Sequence, residues 1–334
     1  MAENEAIVFP ERGVVRVEAC PVPEPRTGEV LVRARATLVS TGTELTALLA
    51  DYPPGSTWEA MFPFPVRPGY DHVGVVVALG AGVDSTWLGR RVASLQPHAR
   101  FVVAAADACR PVPDEVSDEQ ASFSTIAEIA MNGVRRGRLT WGETVVVAGA
   151  GLLGQFTARL CLLAGAAKVV VADVAPARLA LLPVDPRLHP VDPGSADVAE
   201  LVQDVTRGRM ADLAFEVTGD PAVVAQQTSL LREQGRLLIL SSPRGPSTID
   251  LHDHCMRPSL TIVGAHNFSH PQVATPADPW VPARHAELFF DLVRSGLLDV
   301  DRLVSDRLAA SDAPALYERL MRDRSRVMGA VLSW

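Results

Sequence analysis

Thr144-Val145-Val146-Val147-Ala148-Gly149-Ala150-Gly151-Leu152-Leu153-Gly154 is the stretch that decides how this chain is read. An apolar, valine-rich run drives into a G-x-G-x-x-G turn, and an apolar segment of helical spacing, Leu152–Ala164, leaves it. The three glycines have different duties. Gly149 permits the tight turn, Gly151 lets the backbone approach a pyrophosphate, and Gly154 allows helix and strand to pack closely. The phosphates are expected over the helix N-terminus at Leu152 and Leu153, where free N–H groups and the helix dipole favour an anion. Glycine-rich turns are common, so the signal depends on the flanking strand and helix. Both are present, and together they point to a dinucleotide.

Working outward, Lys168–Asp173 reads as the next strand. Asp173 stands at the spacing of the acid that accepts from the ribose hydroxyls and repels a 2′-phosphate, so NAD is expected over NADP. Arg178, close by, either softens that preference or covers the adenine. Strands are then expected at Ala211–Val217, Arg236–Leu240 and Leu260–Gly264. Helices are expected at Ser122–Arg136, Ala196–Arg207 and Pro221–Leu231. Alternating strands and helices predict an α/β, Rossmann-type doubly wound parallel sheet of six strands over residues 121–265. The first 120 residues differ in period. Gly13–Glu18, Glu29–Arg35 and His72–Leu79 are alternating valine-rich segments separated by Pro and Gly, which predicts a β-rich domain. Residues 51–68 are dense in Pro, Gly and aromatics and read as a loop long enough to wall a pocket. Helices at 284–295 and 313–322 and a strand at 328–334 are expected to return to the first domain. The expected division is therefore 1–120 with 266–334, and 121–265.

Bulk properties narrow the function classes. At 334 residues the chain suits two domains, and 48% hydrophobic with 21% charged residues is ordinary globular composition. A net charge of −8 without a basic run argues against a nucleic-acid partner. No apolar stretch approaches a membrane span, and the acidic first residues lack an apolar core, so no membrane partner and a cytoplasmic location are expected. Cys20, Cys109, Cys161 and Cys255 show no metal spacing and read as reduced thiols.

A β-rich first domain, a mid-chain fingerprint and a returning C-terminal segment resemble the medium-chain dehydrogenase/reductase superfamily over essentially the whole chain. The resemblance implies a GroES-like catalytic domain, a small-molecule alcohol substrate and a homodimer. Zinc members carry Cys-Gly-Thr-Asp, then Gly-His-Glu, then a third ligand upstream of the fingerprint. This chain has Thr41-Gly42-Thr43-Glu44, Gly69-Tyr70-Asp71 and either Ser124 or Thr125 at those places. Hydroxyls are poor substitutes for the thiolate and imidazole donors that zinc takes, so no metal is expected. Cys109 stands alone where relatives carry a four-cysteine zinc lobe. Ser40-Thr41-Gly42-Thr43-Glu44-Leu45, Pro97-His98-Ala99 and Asn132-Gly133-Val134-Arg135 are similar to the bacteriochlorophyllide hydroxyethyl dehydrogenase branch. Leu260–Asn267 and Pro279-Trp280 with Arg284–Leu288 are similar to sugar and cyclitol dehydrogenases, some from aminoglycoside biosynthesis.

These resemblances imply NAD-dependent oxidation of a secondary alcohol on a polyhydroxylated sugar, aminocyclitol or aminoglycoside-like substrate. The alternatives are oxidation of a tetrapyrrole hydroxyethyl group, a zinc-free quinone or enoyl reductase, and a non-catalytic scaffold. Asp173 weighs against the reductase, and the intact fingerprint weighs against the scaffold.

Without zinc to acidify the alcohol, a side chain must accept the proton. Thr43, Glu44, Tyr70, Asp71 and His72 are expected to cluster at the vacated metal position, with Thr43 as a proton relay. Tyr70 either carries the proton or fills the hole, and Asp71 is either a base or structural. His72 is catalytic, or points into the core or to solvent. Glu44 is a base, a cap or a partner for a substrate ammonium. On the cofactor side, Thr218, Ser241 and the Ala265-His266 turn match positions lining the nicotinamide half in relatives, and His266 either meets substrate or caps the strand end. His252, His254 and Cys255 read as structural.

Overall fold

The computed structural model describes residues 3–271 and 273–334. It divides into two compact units, one running up to Thr125 and joined by Pro282–Trp334, the other formed by Ile126–Val281. The segment after His266 thus stays with the second unit instead of returning at once to the first. Asn132 ties it there, donating to the His266 carbonyl at 3.2 Å and to the Ser269 hydroxyl at 3.0 Å. Among the described residues no helix is long and apolar enough to cross a membrane.

The second unit is a six-stranded sheet in the order Leu188–Val191, Lys168–Ala172, Thr144–Ala148, Ala211–Glu216, Leu231–Ile239, Thr261–Gly264. Every neighbouring pair is parallel. Numbered along the chain the order is 3-2-1-4-5-6, the doubly wound arrangement whose strand ends form a dinucleotide crevice. Burial on both faces explains the near-continuous apolar strands, and Val146, Val170, Ala214 and Leu237 sit in its core. The outermost strand, Leu188–Val191, is one that the sequence reading does not place. It is only four residues long and contains Pro190, which an edge strand tolerates. Gly154 is obligatory: a Cβ there would lie 1.9 Å from the Gly149 carbonyl oxygen.

The first unit is built on the eleven-residue strand Glu29–Val39. It pairs antiparallel with His72–Leu79, Gly329–Ser333 and Phe101–Ala105. Arg91–Ser94, Arg110–Pro111 and Val304–Ala309 complete a seven-stranded sheet, and Asn4–Val8 pairs with Arg16–Cys20 in a separate ribbon. A helix that sequence periodicity did not suggest, Thr41–Leu49, follows directly after the long strand. Ile7, Phe9, Leu48, Tyr317 and Leu332 form one core, in which the Phe9 and Tyr317 rings meet edge to face at 5.2 Å. The loop at 51–68 contains one short helix, Thr57–Met61, capped by the Ser56 hydroxyl. Its aromatics stack in sequence, Tyr52 on Trp58 at 6.2 Å and Trp58 on Phe62 at 5.5 Å.

Candidate active site

The nucleotide corner of the second unit is held mostly by backbone. Gly149 sits at φ +106° and Gly151 caps the helix Leu152–Leu163, with open space where its Cβ would stand. That open backbone fits a pyrophosphate. Asp173 ends the neighbouring strand and is 8% exposed. One carboxylate oxygen accepts from the Ala150 N–H at 2.7 Å, the other from the Ala175 N–H at 2.8 Å. The fingerprint turn and the acid therefore form one rigid piece. Arg178 lies 3.8 Å from Asp173. Buried Gln155, which the sequence reading missed, braces both sides by donating to the carbonyls of Ala150 at 3.0 Å and Arg178 at 2.8 Å.

Farther along the same sheet, the Ala265 N–H continues the ladder by donating to Ile239. His266 turns its ring back on its own chain: its Nδ1 accepts from the Phe268 N–H at 3.2 Å, and its ring lies 4.9 Å from that of Phe268. His266 here caps the short turn Asn267–Ser269 that follows it. His254 accepts from or donates to Thr228 at 3.2 Å, and His252 pairs with adjacent Asp253 at 2.7 Å. Among the described residues no three His, Cys, Asp or Glu side chains are placed to hold a metal ion.

In the first unit, strand register assembles a hydroxyl cluster. Thr37 pairs with His72, and the Leu38 N–H donates to the Asp71 carbonyl, so Tyr70 stands opposite the end of the long strand where Ser40 begins the helix. The Ser40 and Tyr70 hydroxyls share a hydrogen bond of 2.5 Å. Thr43, in the first turn of the helix, also favours the ionised phenol, a smaller effect than burial. The Thr125 hydroxyl donates to the Tyr70 carbonyl at 3.1 Å. The segments carrying the three family metal positions thus converge, and at those positions, Thr41, Tyr70 and Ser124 or Thr125, the side chains are hydroxyls. They do not fit zinc, whose protein ligands are thiolate, imidazole or carboxylate.

Burial, and after it the Asp71 carboxylate, push the Tyr70 phenol well above the usual tyrosine range, against a smaller pull from its hydrogen bonds to Ser40 and Thr43. The phenol therefore remains protonated at neutral pH.

The five expected catalytic side chains do not form one exposed cluster. Thr43 and Tyr70 keep some exposure, whereas Glu44, Asp71 and His72 are buried at 1–2%. Glu44 is the hub of a buried network. Its carboxylate accepts from the Ser40 N–H at 2.7 Å, from His98 Nε2 at 3.1 Å and from the Tyr317 hydroxyl. A carboxylate only accepts, so His98 carries its proton on Nε2. Gly69, at φ +100°, is required beneath this ring, because a Cβ would stand 2.7 Å from it. Glu44 is thus an anchor for the helix start, which corrects the expectation of a base open to substrate. His72 is corrected likewise. Burial lowers its pKa to about 4, so it is a neutral core imidazole, with Nε2 3.3 Å from the Ala99 carbonyl. Pro97-His98-Ala99 stands out in the sequence, but nothing local reveals that its histidine meets Glu44.

Two family profiles match in tandem, the alcohol dehydrogenase GroES-like domain over residues 26–155 and the zinc-binding dehydrogenase over 153–281. The chain belongs to the medium-chain dehydrogenase/reductase superfamily, the alcohol dehydrogenase class of oxidoreductases. It is 24% identical to the sorbitol dehydrogenase of Bacillus subtilis, covering 97% of this chain and 95% of that one. It is 27% identical to the erythritol/L-threitol dehydrogenase of Mycolicibacterium smegmatis, covering 75% and 80% respectively. An alcohol dehydrogenase structure from Escherichia coli, complexed with NADH, shares the fold over the full length of both chains with a TM-score of 0.83 and 17% identity.

Proposed function

We propose that this member of the superfamily is a zinc-independent, NAD-dependent dehydrogenase. In this reading it interconverts a secondary alcohol and a ketone on a small sugar, aminocyclitol or aminoglycoside-like molecule. The observation that carries the proposal is the hydroxyl set of Ser40 and Thr43 around Tyr70, the residue that by resemblance stands at a metal-ligand position of zinc relatives. The similarity to polyol dehydrogenases supports the substrate class.

Gly149, Gly151, Gly154 and the start of the Leu152 helix would hold the pyrophosphate, and Asp173 the adenosine ribose. NAD, when bound, supplies the hydride acceptor. A carboxylate at Asp173 favours a free ribose hydroxyl over a phosphate there, which selects NAD over NADP.

The protein's own share of the chemistry is to place the substrate oxygen and handle its proton. Tyr70, held protonated, donates a hydrogen bond to the carbonyl oxygen during reduction, and Thr43 and Ser40 orient it. Oxidation requires the phenol to lose its proton first, so that the phenolate takes the proton of the alcohol, and its rate therefore rises with pH well into the alkaline range. The homodimer is part of the same proposal. The edge strand Thr261–Gly264 is largely exposed and leaves one row of backbone groups for a second copy.

The test is a screen of polyols, aminocyclitols and aminoglycosides with NAD, following the absorbance of the reduced cofactor across pH. Turnover on a secondary polyol that climbs through pH 9 supports the proposal. A plateau reached near pH 7 would assign the proton to an ordinary base such as a histidine.

A further inference from the structure

The strand Ala211–Glu216 ends on a carboxylate that has 0% exposure and accepts hydrogen bonds on both oxygens. One oxygen of Glu216 accepts from the Thr218 N–H at 2.6 Å, the Thr218 hydroxyl at 2.5 Å and the Gly219 N–H at 3.2 Å. The other accepts from the Ser241 hydroxyl. A carboxylate only accepts, so each hydroxyl has directed its single proton inward. Each hydroxyl oxygen also accepts one backbone N–H, Asp220 onto Thr218 at 2.9 Å and Gly219 onto Ser241 at 3.1 Å. One lone pair is left on each. Thr218 and Ser241 are partly exposed, and what they present outward is acceptor only.

Their place in the sheet says what they face. They follow the fourth and fifth strands of the doubly wound order, across the fingerprint strand from Asp173. Thr218 lies against the fingerprint itself, 3.1 Å from where a Cβ on Gly149 would stand. A dinucleotide spans such a crevice with its adenosine half over the second strand, which leaves the other half over the fourth and fifth.

We infer that Glu216 is a positioning residue for the nicotinamide half of the cofactor. It fixes Thr218 and Ser241 as acceptors, so this end of the crevice takes a neutral hydrogen-bond donor, either a ribose hydroxyl or the carboxamide amine. The inference rests on the dinucleotide reading above.

Glu216→Gln tests it. The glutamine carbonyl takes the place facing three donors, its amine faces Ser241, and the Ser241 proton is turned outward against the cofactor's donor. The Kd for NADH, read by fluorescence titration, should rise about tenfold or more. The Kd for ADP, which lacks the nicotinamide half, should not change, nor should the melting temperature fall by more than a few degrees. Ser241→Ala alone should weaken NADH binding. In the double variant Glu216→Gln/Ser241→Ala it should restore part of the loss, because the reversed hydroxyl is gone. A purely structural Glu216 would give losses that add.

Acetylpyridine adenine dinucleotide, which lacks the carboxamide amine, separates the two donors. If its Kd rises as NADH's does, the donor is a ribose hydroxyl. If it does not respond, the donor is the amine.

An unchanged NADH Kd in Glu216→Gln, or equal losses for NADH and ADP, would overturn the inference. Failure of the wild type to bind NADH at all would instead overturn the dinucleotide reading. Should Glu216→Gln not fold, Ser241→Ala carries the same test through its NADH and ADP titrations.

Discussion

The nucleotide corner and the hydroxyl cluster are built in opposite ways. At Gly149–Asp173 the recognition surface is mostly backbone, and the Asp173 carboxylate beside it is itself held by two backbone N–H groups. At Ser40–Tyr70 the surface is side chain on side chain, supported from behind by Glu44, His98 and Tyr317. A backbone site is fixed by where glycines are allowed, so it tolerates little change. A side-chain site can exchange its donors while its frame persists, and we propose that hydroxyls here stand in for the metal ligands of zinc relatives.

The largest effect should come from violating the backbone site. Gly154→Ala places a Cβ 1.9 Å from the Gly149 carbonyl oxygen, with only backbone to yield. NADH binding should be lost and stability should fall by about 3 kcal/mol or more, measured by titration and by chemical denaturation. A variant that binds NADH normally would show the turn to be far softer than its geometry implies.

Tyr70→Phe comes next and addresses the other site. It keeps the ring and removes the hydroxyl shared with Ser40 and Thr43. Turnover should drop about 10²–10⁴-fold with the NADH Kd unchanged. A silent change would make Tyr70 a filler of the old metal position and send the search for the proton carrier to Asp71.

His72 sharpens the contrast between the cluster and the frame behind it. Its pKa in the folded protein, about 4, lies below the ordinary 6.5, so the unfolded chain takes up a proton first as the pH falls. Stability present at neutral pH should therefore be lost between about pH 6.5 and pH 4, on the order of 3 kcal/mol at most. Replacing His72 with Asn should flatten that part of the stability profile while lowering its plateau. A profile of unchanged slope would assign the acid sensitivity elsewhere.

The smallest effect concerns selectivity at the backbone site. Asp173→Asn keeps an acceptor for Ala150 and removes the charge that disfavours a 2′-phosphate. The ratio of kcat/KM for NAD over NADP should narrow about tenfold, or about 1.4 kcal/mol. A ratio that stays fixed would move cofactor choice to Arg178.

The same contrast explains what could be read from the sequence. Valines running into Gly149-Ala150-Gly151-Leu152-Leu153-Gly154 specify strand, turn and helix locally, and Asp173 follows at a fixed spacing, so that corner was legible. The strand Leu188–Val191 was not, because four residues containing a proline carry little periodicity. The hydroxyl cluster was legible only as a list of positions. Its support joins Glu44 to Tyr317 across 273 residues, and nothing local distinguishes a glutamate buried by such a contact from one open to substrate. Glu216 gave a fainter sign, a carboxylate closing the apolar run Leu213-Ala214-Phe215 just before Thr218-Gly219.

We propose that hydroxyls have replaced the metal in the chemistry. This is tested most directly by measuring zinc content together with polyol oxidation, before and after exhaustive dialysis against chelator. Far less than one zinc per chain and unchanged turnover after dialysis are expected. About one zinc per chain, with activity that disappears on its removal and returns on its addition, would contradict it.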